Sequence, residues 1–369
     1  MYFAYSVLHL NSYVKCLLDV FTTKKPFVIL HLGSILSETI PSENFIPHGN
    51  KHLAHILGNV TVYRHYACLC HLIERGGFMR IGFIGAGKVG FTLGKYFSEN
   101  NVRTVGYWSR NPKSAEAAAK FTNSMYYSDV EDLVRHSDTL FLTVPDNAIG
   151  KIWDGIKNFP LKDKIVCHVS GALSSGIFSD IDRTGAFGYS IHPIFAIHSK
   201  FDSYKEINKA FFTIEGSKDR LDDVCSCVAM LGNSYAVIEK DKKALYHAAA
   251  VTASNHVNAL LYTAKKYLRE CGFTDDQTEK IIVPLFINNA RSAAEYGSIN
   301  ALTGPVERRD MSTVKSHIDC LNGYDRLLYE LLALRLCEMG ELKNENADYK
   351  YVKKYLRGEI KNETVGSDI

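Results

Sequence analysis

The stretch Met79-Arg80-Ile81-Gly82-Phe83-Ile84-Gly85-Ala86-Gly87-Lys88-Val89-Gly90 decides how the chain is understood. Its first half is a short apolar run of strand type, and its second half is a G-x-G-x-x-G loop. From Val89 the apolar spacing turns helical (Val89, Leu93, Phe97) and ends in the polar Ser98-Glu99-Asn100-Asn101. Strand, glycine loop and helix in immediate succession are the context in which this pattern signifies a dinucleotide site. Gly85 permits the tight turn, Gly87 lets the backbone approach a pyrophosphate, and Gly90 lets helix and strand pack closely. The helix start adds free N–H groups and a partial positive charge. Gly85, Ala86, Gly87, Lys88, Val89 and Gly90 are therefore the candidate phosphate cradle; an ordinary glycine-rich turn is the bland alternative.

The next strand, Val102 to Trp108, ends roughly 20 residues past the loop, where NAD enzymes place an acidic residue on the ribose 2′-hydroxyl. This chain has Ser109-Arg110-Asn111 there. No carboxylate repels a 2′-phosphate, and Arg110 offers a planar cationic fork with the Ser109 hydroxyl beside it. The spacing favours NADP over NAD. The alternative is that Arg110 is a solvated loop residue and NAD is held weakly.

Helices and strands go on alternating. Ser114 to Phe121 and Val130 to His136 are predicted helices. Thr139 to Val144, Lys164 to Val169 and Gly188 to Ile191 are predicted strands, followed by Val144-Pro145-Asp146, Ser170-Gly171-Ala172 and His192-Pro193. Ligands of open α/β sheets sit beyond the carboxyl ends of the strands. Val144, Pro145 and Asp146 are accordingly added to the cofactor-binding candidates, and Ser170 and His192 to the catalytic ones. Ala210–Ile214 and Tyr235–Ile238 read as further strands around a helix at 221–231, whose Cys225-x-Cys227 pair points to different faces and reads as packing.

After Glu239 the strands stop. The run Lys243–Glu270 contains no Gly or Pro and predicts one continuous helix with an apolar face through Leu245, Ala249, Leu260 and Leu261. Asp275–Tyr296 follows behind Thr274 as N-cap, with a kink expected at Pro284. Past the loop Thr303-Gly304-Pro305 come helices at Met311–Cys320 and Arg326–Met339, and weak helical character at 351–356. The leucines of the fourth helix (Leu327, Leu328, Leu331, Leu332) exceed what one small domain buries, so a homodimer through the helical domain is expected. The fold class is thus α/β, with a Rossmann domain over 79–239, an all-helical domain over 240–340 and a charged tail at 341–369.

Residues 1–78 look foreign to this scheme. They hold seven of the 14 histidines but four of the 40 acidic residues, leaving 37 basic and 36 acidic residues in the remainder. They end in Glu74-Arg75-Gly76-Gly77-Phe78, and Arg-Gly-Gly before Met79 is what a purine-rich ribosome-binding site gives when translated. Met79 is the expected native start, which N-terminal sequencing of the protein checks. The group His65-x-x-Cys68-x-Cys70-His71 has ligand types that suit zinc, but all four fall within seven residues, so no metal is expected.

With 46% hydrophobic and 22% charged residues and a net charge of +3, the chain suits a soluble globular protein with neither nucleic acid nor membrane as partner. No apolar stretch reaches the ~20 residues of a membrane span. Nine scattered cysteines without a secretory signal suggest reduced thiols in the cytoplasm.

A Rossmann domain followed by helices resembles the 6-phosphogluconate dehydrogenase-like superfamily, which includes pyrroline-5-carboxylate reductase, ketopantoate reductase and prephenate dehydrogenase. From Met79 to about Met339 the chain is similar to bacterial Rossmann-like proteins with a C-terminal domain of unknown function. The similarity lies in Gly85–Gly90, Val144-Pro145-Asp146, His168-x-Ser170-Gly171-Ala172, Ser190-Ile191-His192-Pro193, Tyr246-His247-Ala248-Ala249-Ala250-Val251, Ser254-Asn255 and Leu302-Thr303-Gly304-Pro305. Those proteins carry Arg-Gly-Asp after the last of these, whereas this chain has Arg308-Arg309-Asp310. By position, Ser170 and His192 would match substrate-contacting residues of prephenate dehydrogenases.

The resemblance further implies that Asn255 faces the cleft. His247, eight residues earlier, falls near the same face of the expected helix. His192, whose imidazole ordinarily titrates near neutrality, is the first candidate for proton transfer, ahead of Asn255, Ser170 and His247. A lysine four residues before Asn255, as some relatives use, is absent, since Val251 stands there. The expected activity is NADP-dependent hydride transfer on a small metabolite. A non-catalytic NADP(H) sensor and an imine reductase are the alternatives.

Overall fold

The computed structural model describes residues 79–359, which part into two units between Ala250 and Val251. The N-terminal segment and its His65–His71 group lie outside the described residues.

The first unit is built on an eight-stranded sheet, in the order β3-β2-β1-β4-β5-β6-β7-β8. The strands are β1 (Arg80–Ile84), β2 (Arg103–Trp108), β3 (Met125–Tyr126), β4 (Thr139–Leu142), β5 (Ile165–His168), β6 (Phe187–Ile194), β7 (Phe211–Gly216) and β8 (Tyr235–Val237). All neighbours from β3 to β6 pair in parallel, β7 runs antiparallel to β6, and β8 is parallel to β7. The parallel strands are apolar runs because helices cover both faces. Ile81, Phe83, Ile84, Leu140 and Leu142 are completely buried, each contributing about 2 kcal/mol of hydrophobic stabilisation. The crossover helices are α1 (Lys88–Glu99), α2 (Pro112–Thr122), α3 (Val130–His136), α4 (Asp146–Ile156), the short α5 (Ile181–Thr184) and α6 (Leu221–Met230). The strand order reverses between β1 and β4, the switch point at which such sheets bind ligands.

One expectation needs correction here. β6 does not stop at Ile191 but carries His192 and Pro193 inside the strand, paired with Thr213 and Phe212 of β7. His192 still lies beyond the end of β5, whose pairing with β6 finishes at His168 and Ser190. A further partner on one side allows β6 to outlast its parallel neighbour on the other. Cys225 and Cys227 both enter the core cluster beside Ile191, Phe212 and Leu231, so the pair packs as expected.

The single helix expected over 243–270 is two: α7 (Lys243–Thr252) and α8 (Asn255–Glu270). The backbone leaves the helical region at Ser254 (φ −126°, ψ −75°), which becomes the N-cap of α8. Thr252, Ser254 and Asn255 have side chains that compete with helical hydrogen bonds, so a break is cheapest there. The expected apolar face is not buried either: Leu245 and Leu260 are exposed.

In the second unit α9 (Asp275–Tyr296) opens with a capping box between Thr274 and Gln277 and runs through Pro284. α10 (Met311–Cys320), α11 (Gly323–Lys343) and α12 (Lys350–Leu356) share a small core of Val314, Ile318, Ala333, Cys337, Val352 and Leu356. No described helix is long and apolar enough to cross a membrane.

Candidate functional site

The glycine loop is fixed from both sides. The Gly85 N–H donates to the Trp108 carbonyl at the end of β2 (2.8 Å), which sets Ser109 and Arg110 beside the loop. The Thr143 hydroxyl donates to the Gly85 carbonyl (2.8 Å) from the end of β4, and the Tyr107 hydroxyl donates to that of Gly90 (3.2 Å). Gly85 stands at φ +113°, a conformation glycine alone adopts readily. Gly87 caps α1 in extended conformation, and the first turn of that helix has no acidic residue. Gly87, Lys88 and Arg110 are exposed and Ser109 is half-buried. A loop whose backbone is open at Gly87, free of carboxylates and flanked by Arg110, fits an anionic dinucleotide. Val144 is half-buried and Pro145 exposed beside it.

The ends of β4 and β5 are joined by a polar web. Ser170 Oγ donates to Asp146 Oδ2 (2.7 Å) and accepts from the N–H groups of Ala172 (3.2 Å) and Leu173 (3.0 Å). This commits the Ser170 hydroxyl proton to Asp146 and its lone pairs to the loop, so Ser170 shapes the backbone and has no proton left for a substrate. Asp146 is likewise engaged in holding that loop. His168, wholly buried, accepts from the Ser170 N–H through Nδ1 (3.2 Å) and places Nε2 3.2 Å from the Ser174 carbonyl. Burial pushes its imidazole down to about 4.

His192 does not titrate near neutrality, the property for which it stood out in the sequence. Burial, then the charge of Lys243 and the neighbouring His247, hold it down to about 4, so the ring is neutral at physiological pH. Its Nδ1 is hydrogen-bonded to the Tyr246 hydroxyl at 2.6 Å. The His247 ring meets it edge to face, centroids 6.1 Å apart, and buries its Nδ1 without a hydrogen-bond partner among the described residues.

Lys243 is the residue the sequence did not reveal. It begins α7 and is 2% exposed, with Nζ donating to Ser190 Oγ (2.7 Å) and to the Ser170 carbonyl (3.1 Å). Burial brings its ammonium down to about 8, opposed by Glu215 and Asp146. Glu215 is buried opposite Ser190 in the β6–β7 ladder and accepts from the N–H and hydroxyl of Ser175, both at 2.7 Å. In sequence Lys243 closes the run Lys240-Asp241-Lys242-Lys243, and nothing in that charged string distinguishes the member that turns inward. Tyr246 stood in a matching segment, but no spacing rule linked it to His192, 54 positions away. Asn255 belongs to the second unit, where it is exposed and accepts from Ser254 Oγ (3.0 Å). A break at Ala253–Ser254 separates its helix from the one that carries His247.

The edge of the first unit's sheet thus carries an anion cradle at β1 and β2, and at β5 and β6 a buried polar web ending in a neutral histidine. This is the organisation of a nucleotide-binding Rossmann protein. Residues 73–193 match the Rossmann-like domain family, and residues 210–336 match a domain of unknown function, DUF2520. The chain thus carries a Rossmann-like domain followed by a DUF2520 domain, the pairing its motifs suggested.

Among solved structures, a protein of Thermotoga maritima is 27% identical with a TM-score of 0.57, covering 71% of this chain and 99% of its own. A Bacteroides fragilis protein described as a candidate NADP oxidoreductase is 22% identical at TM-score 0.57, covering 71% of this chain and 98% of its own. A reductive aminase from Aspergillus terreus, in complex with NADPH and ethyl levulinate, is 14% identical at TM-score 0.52, covering 73% and 100%. These last two likenesses concern the fold. No curated protein matches the chain.

Proposed function

We propose that the protein is an NADP(H)-dependent oxidoreductase that passes hydride to or from a small metabolite. The observation that carries this is the shared sheet edge, where the cradle at Gly85–Gly90 and the ring of His192 stand at the carboxyl ends of strands in one parallel array. Hydride transfer requires a nicotinamide held over a substrate carbon and a group that manages the proton on the adjoining atom. NADP, when bound, supplies the hydride chemistry. The backbone of the glycine loop would hold its pyrophosphate, and Ser109 and Arg110 its 2′-phosphate. The NADPH-bound structure of the A. terreus enzyme, on a similar fold, supports the same choice of cofactor. Its activity as a reductive aminase keeps imine reduction as the second reading.

Calorimetry tests the cofactor assignment. Arg110→Ala is expected to weaken NADPH binding about 10- to 100-fold, the contribution of a charged hydrogen-bonded pair, and to change NADH binding less than about twofold. Equal loss for both nucleotides would remove Arg110 from the 2′-phosphate site.

The helical unit supports a homodimer. α8 has no buried residue and α9 has one, Thr278, while Ile281, Leu285, Phe286 and Ile287 of α9 and Leu327 and Leu331 of α11 are exposed. Apolar surface in this amount is normally covered by a partner. Sedimentation is expected to give twice the chain mass, and Phe286→Glu to shift it to the monomer. A wild-type monomer at micromolar concentration would end the dimer proposal.

A further inference from the structure

The polarity of the His192–Tyr246 hydrogen bond decides what the site can do. A neutral imidazole carries one proton. Where the phenol donates to Nδ1, that proton must sit on Nε2, the atom that faces Gly171 and has no hydrogen-bond partner among the described residues. The rings of His192 and Tyr246 meet edge to face, 5.8 Å between centroids, and the Lys243 ammonium stands 5.4 Å from the centroid of the Tyr246 ring. Two of the three ammonium protons are spent on Ser190 and Ser170. The remaining charge has no carboxylate within ion-pair distance among the described residues.

We infer that Tyr246, His192 and Lys243 form a proton relay for a carbonyl–alcohol couple, in which His192 Nε2 touches the substrate oxygen and the other two act through it. This rests on the oxidoreductase reading above. In the reducing direction a hydride from NADPH adds to the carbonyl carbon while the π pair of the C=O bond moves onto oxygen. His192 Nε2–H gives its proton to that oxygen, and Nδ1 takes the proton of the Tyr246 hydroxyl. The products are the alcohol, a neutral His192 with its proton on Nδ1, and a Tyr246 phenolate held by the Lys243 ammonium. Solvent then returns one proton and the relay resets. No imidazolium or imidazolate forms, which suits a histidine held neutral by its surroundings.

An iminium differs on both counts. Its nitrogen needs no proton once hydride has added, and its positive charge would face that of Lys243. The titratable groups around the relay are Lys243 and His247 on α7, His168 on β5, Glu215 on β7 and Asp146 on α4. Tyr246 and Lys243 are positioning residues in this scheme, and His192 is the contacting one.

Nitrogen-15 spectra of the histidines in the full-length protein test the polarity without any substrate. The wild type is expected to show His192 protonated on Nε2 and accepting on Nδ1 from pH 5 to 8. Tyr246→Phe should release the ring into both tautomers, and Lys243→Met should raise the pH at which it titrates. A wild-type His192 protonated on Nδ1 overturns the relay.

With NADPH and a panel of aldehydes, ketones, 2-oxo acids and 1-pyrroline, carbonyl reduction is expected. Tyr246→Phe should lower kcat about 100-fold while KM for NADPH stays within about twofold. Faster reduction of 1-pyrroline than of every carbonyl overturns the relay and leaves the oxidoreductase standing. Failure of the protein to bind NADPH overturns the oxidoreductase and the relay with it.

Discussion

Gly87→Ala is expected to abolish tight NADPH binding while leaving stability within about 0.5 kcal/mol of wild type, and Gly90→Ala to lower both. The two glycines lie three residues apart in one loop but differ in what surrounds them. A Cβ at Gly87 would meet nothing closer than the Thr143 carbonyl oxygen at 3.9 Å, and its φ of −84° suits any residue. As an N-cap exchange, Gly→Ala changes stability modestly. The added methyl would stand in the open face where a pyrophosphate must approach, so the loss falls on affinity.

At Gly90 a Cβ would lie 2.6 Å from the Gly85 carbonyl oxygen and 2.7 Å from Thr143 Oγ1. Those atoms form the hydrogen bond that ties the loop to β4, so alanine must break that tie or push α1 off the sheet. Overpacking at a buried backbone contact costs about 1–3 kcal/mol. Urea unfolding and nucleotide titration of both variants check the split. A destabilised Gly87→Ala, or a Gly90→Ala of wild-type stability, would contradict this account of the loop.

The second large effect concerns acid. His168 is wholly buried, with its imidazole pushed from 6.5 to about 4. In the unfolded chain it would protonate near 6.5. A lowered folded pKa means that the unfolded state binds the extra proton first. Its stability contribution is therefore complete above pH 6.5 and is lost as pH falls from there towards 4. The full loss is about 3 kcal/mol, at a slope near 1.4 kcal/mol per pH unit. His192, half-buried and also held down to about 4, follows the same direction.

Urea midpoints of the first unit between pH 7.5 and 4.5 should fall accordingly. His168→Gln, which keeps an acceptor for the Ser170 N–H and a donor for the Ser174 carbonyl, should flatten the fall while starting from a lower plateau. An unchanged slope in that variant would place the acid sensitivity elsewhere.

Much of the first unit was legible because its determinants are local. Gly85–Gly90 needs a particular backbone, Ser109-Arg110 sits at a fixed offset from it, and fully buried parallel strands are continuous apolar runs. The helix start at Asp275 was visible for the same reason, preceded by Thr274, whose side chain caps it. What stayed hidden depends on pairs distant in sequence. β6 runs on through His192 only because β7 returns beside it. Lys243 turns inward only because the Ser170 carbonyl and Ser190 hydroxyl await it, 73 and 53 positions away. The break at Ser254 is not legible from Gly and Pro, since a cluster of Thr, Ser and Asn also interrupts a helix. The neutrality of His192 could not be read from residue type, since it comes from its neighbours.

The extension of β6 past β5 has a consequence for timing. His192 rides on a strand laddered to Thr213 and flanked by Ile191 and Pro193, whose own partners are Ile214 and Phe212. Backbone of this kind opens to exchange with heavy water only in rare, large excursions, whereas loops at a sheet edge do so freely. The imidazole is thus in place before anything arrives, and the waiting in a reaction cycle falls to whatever must come to it.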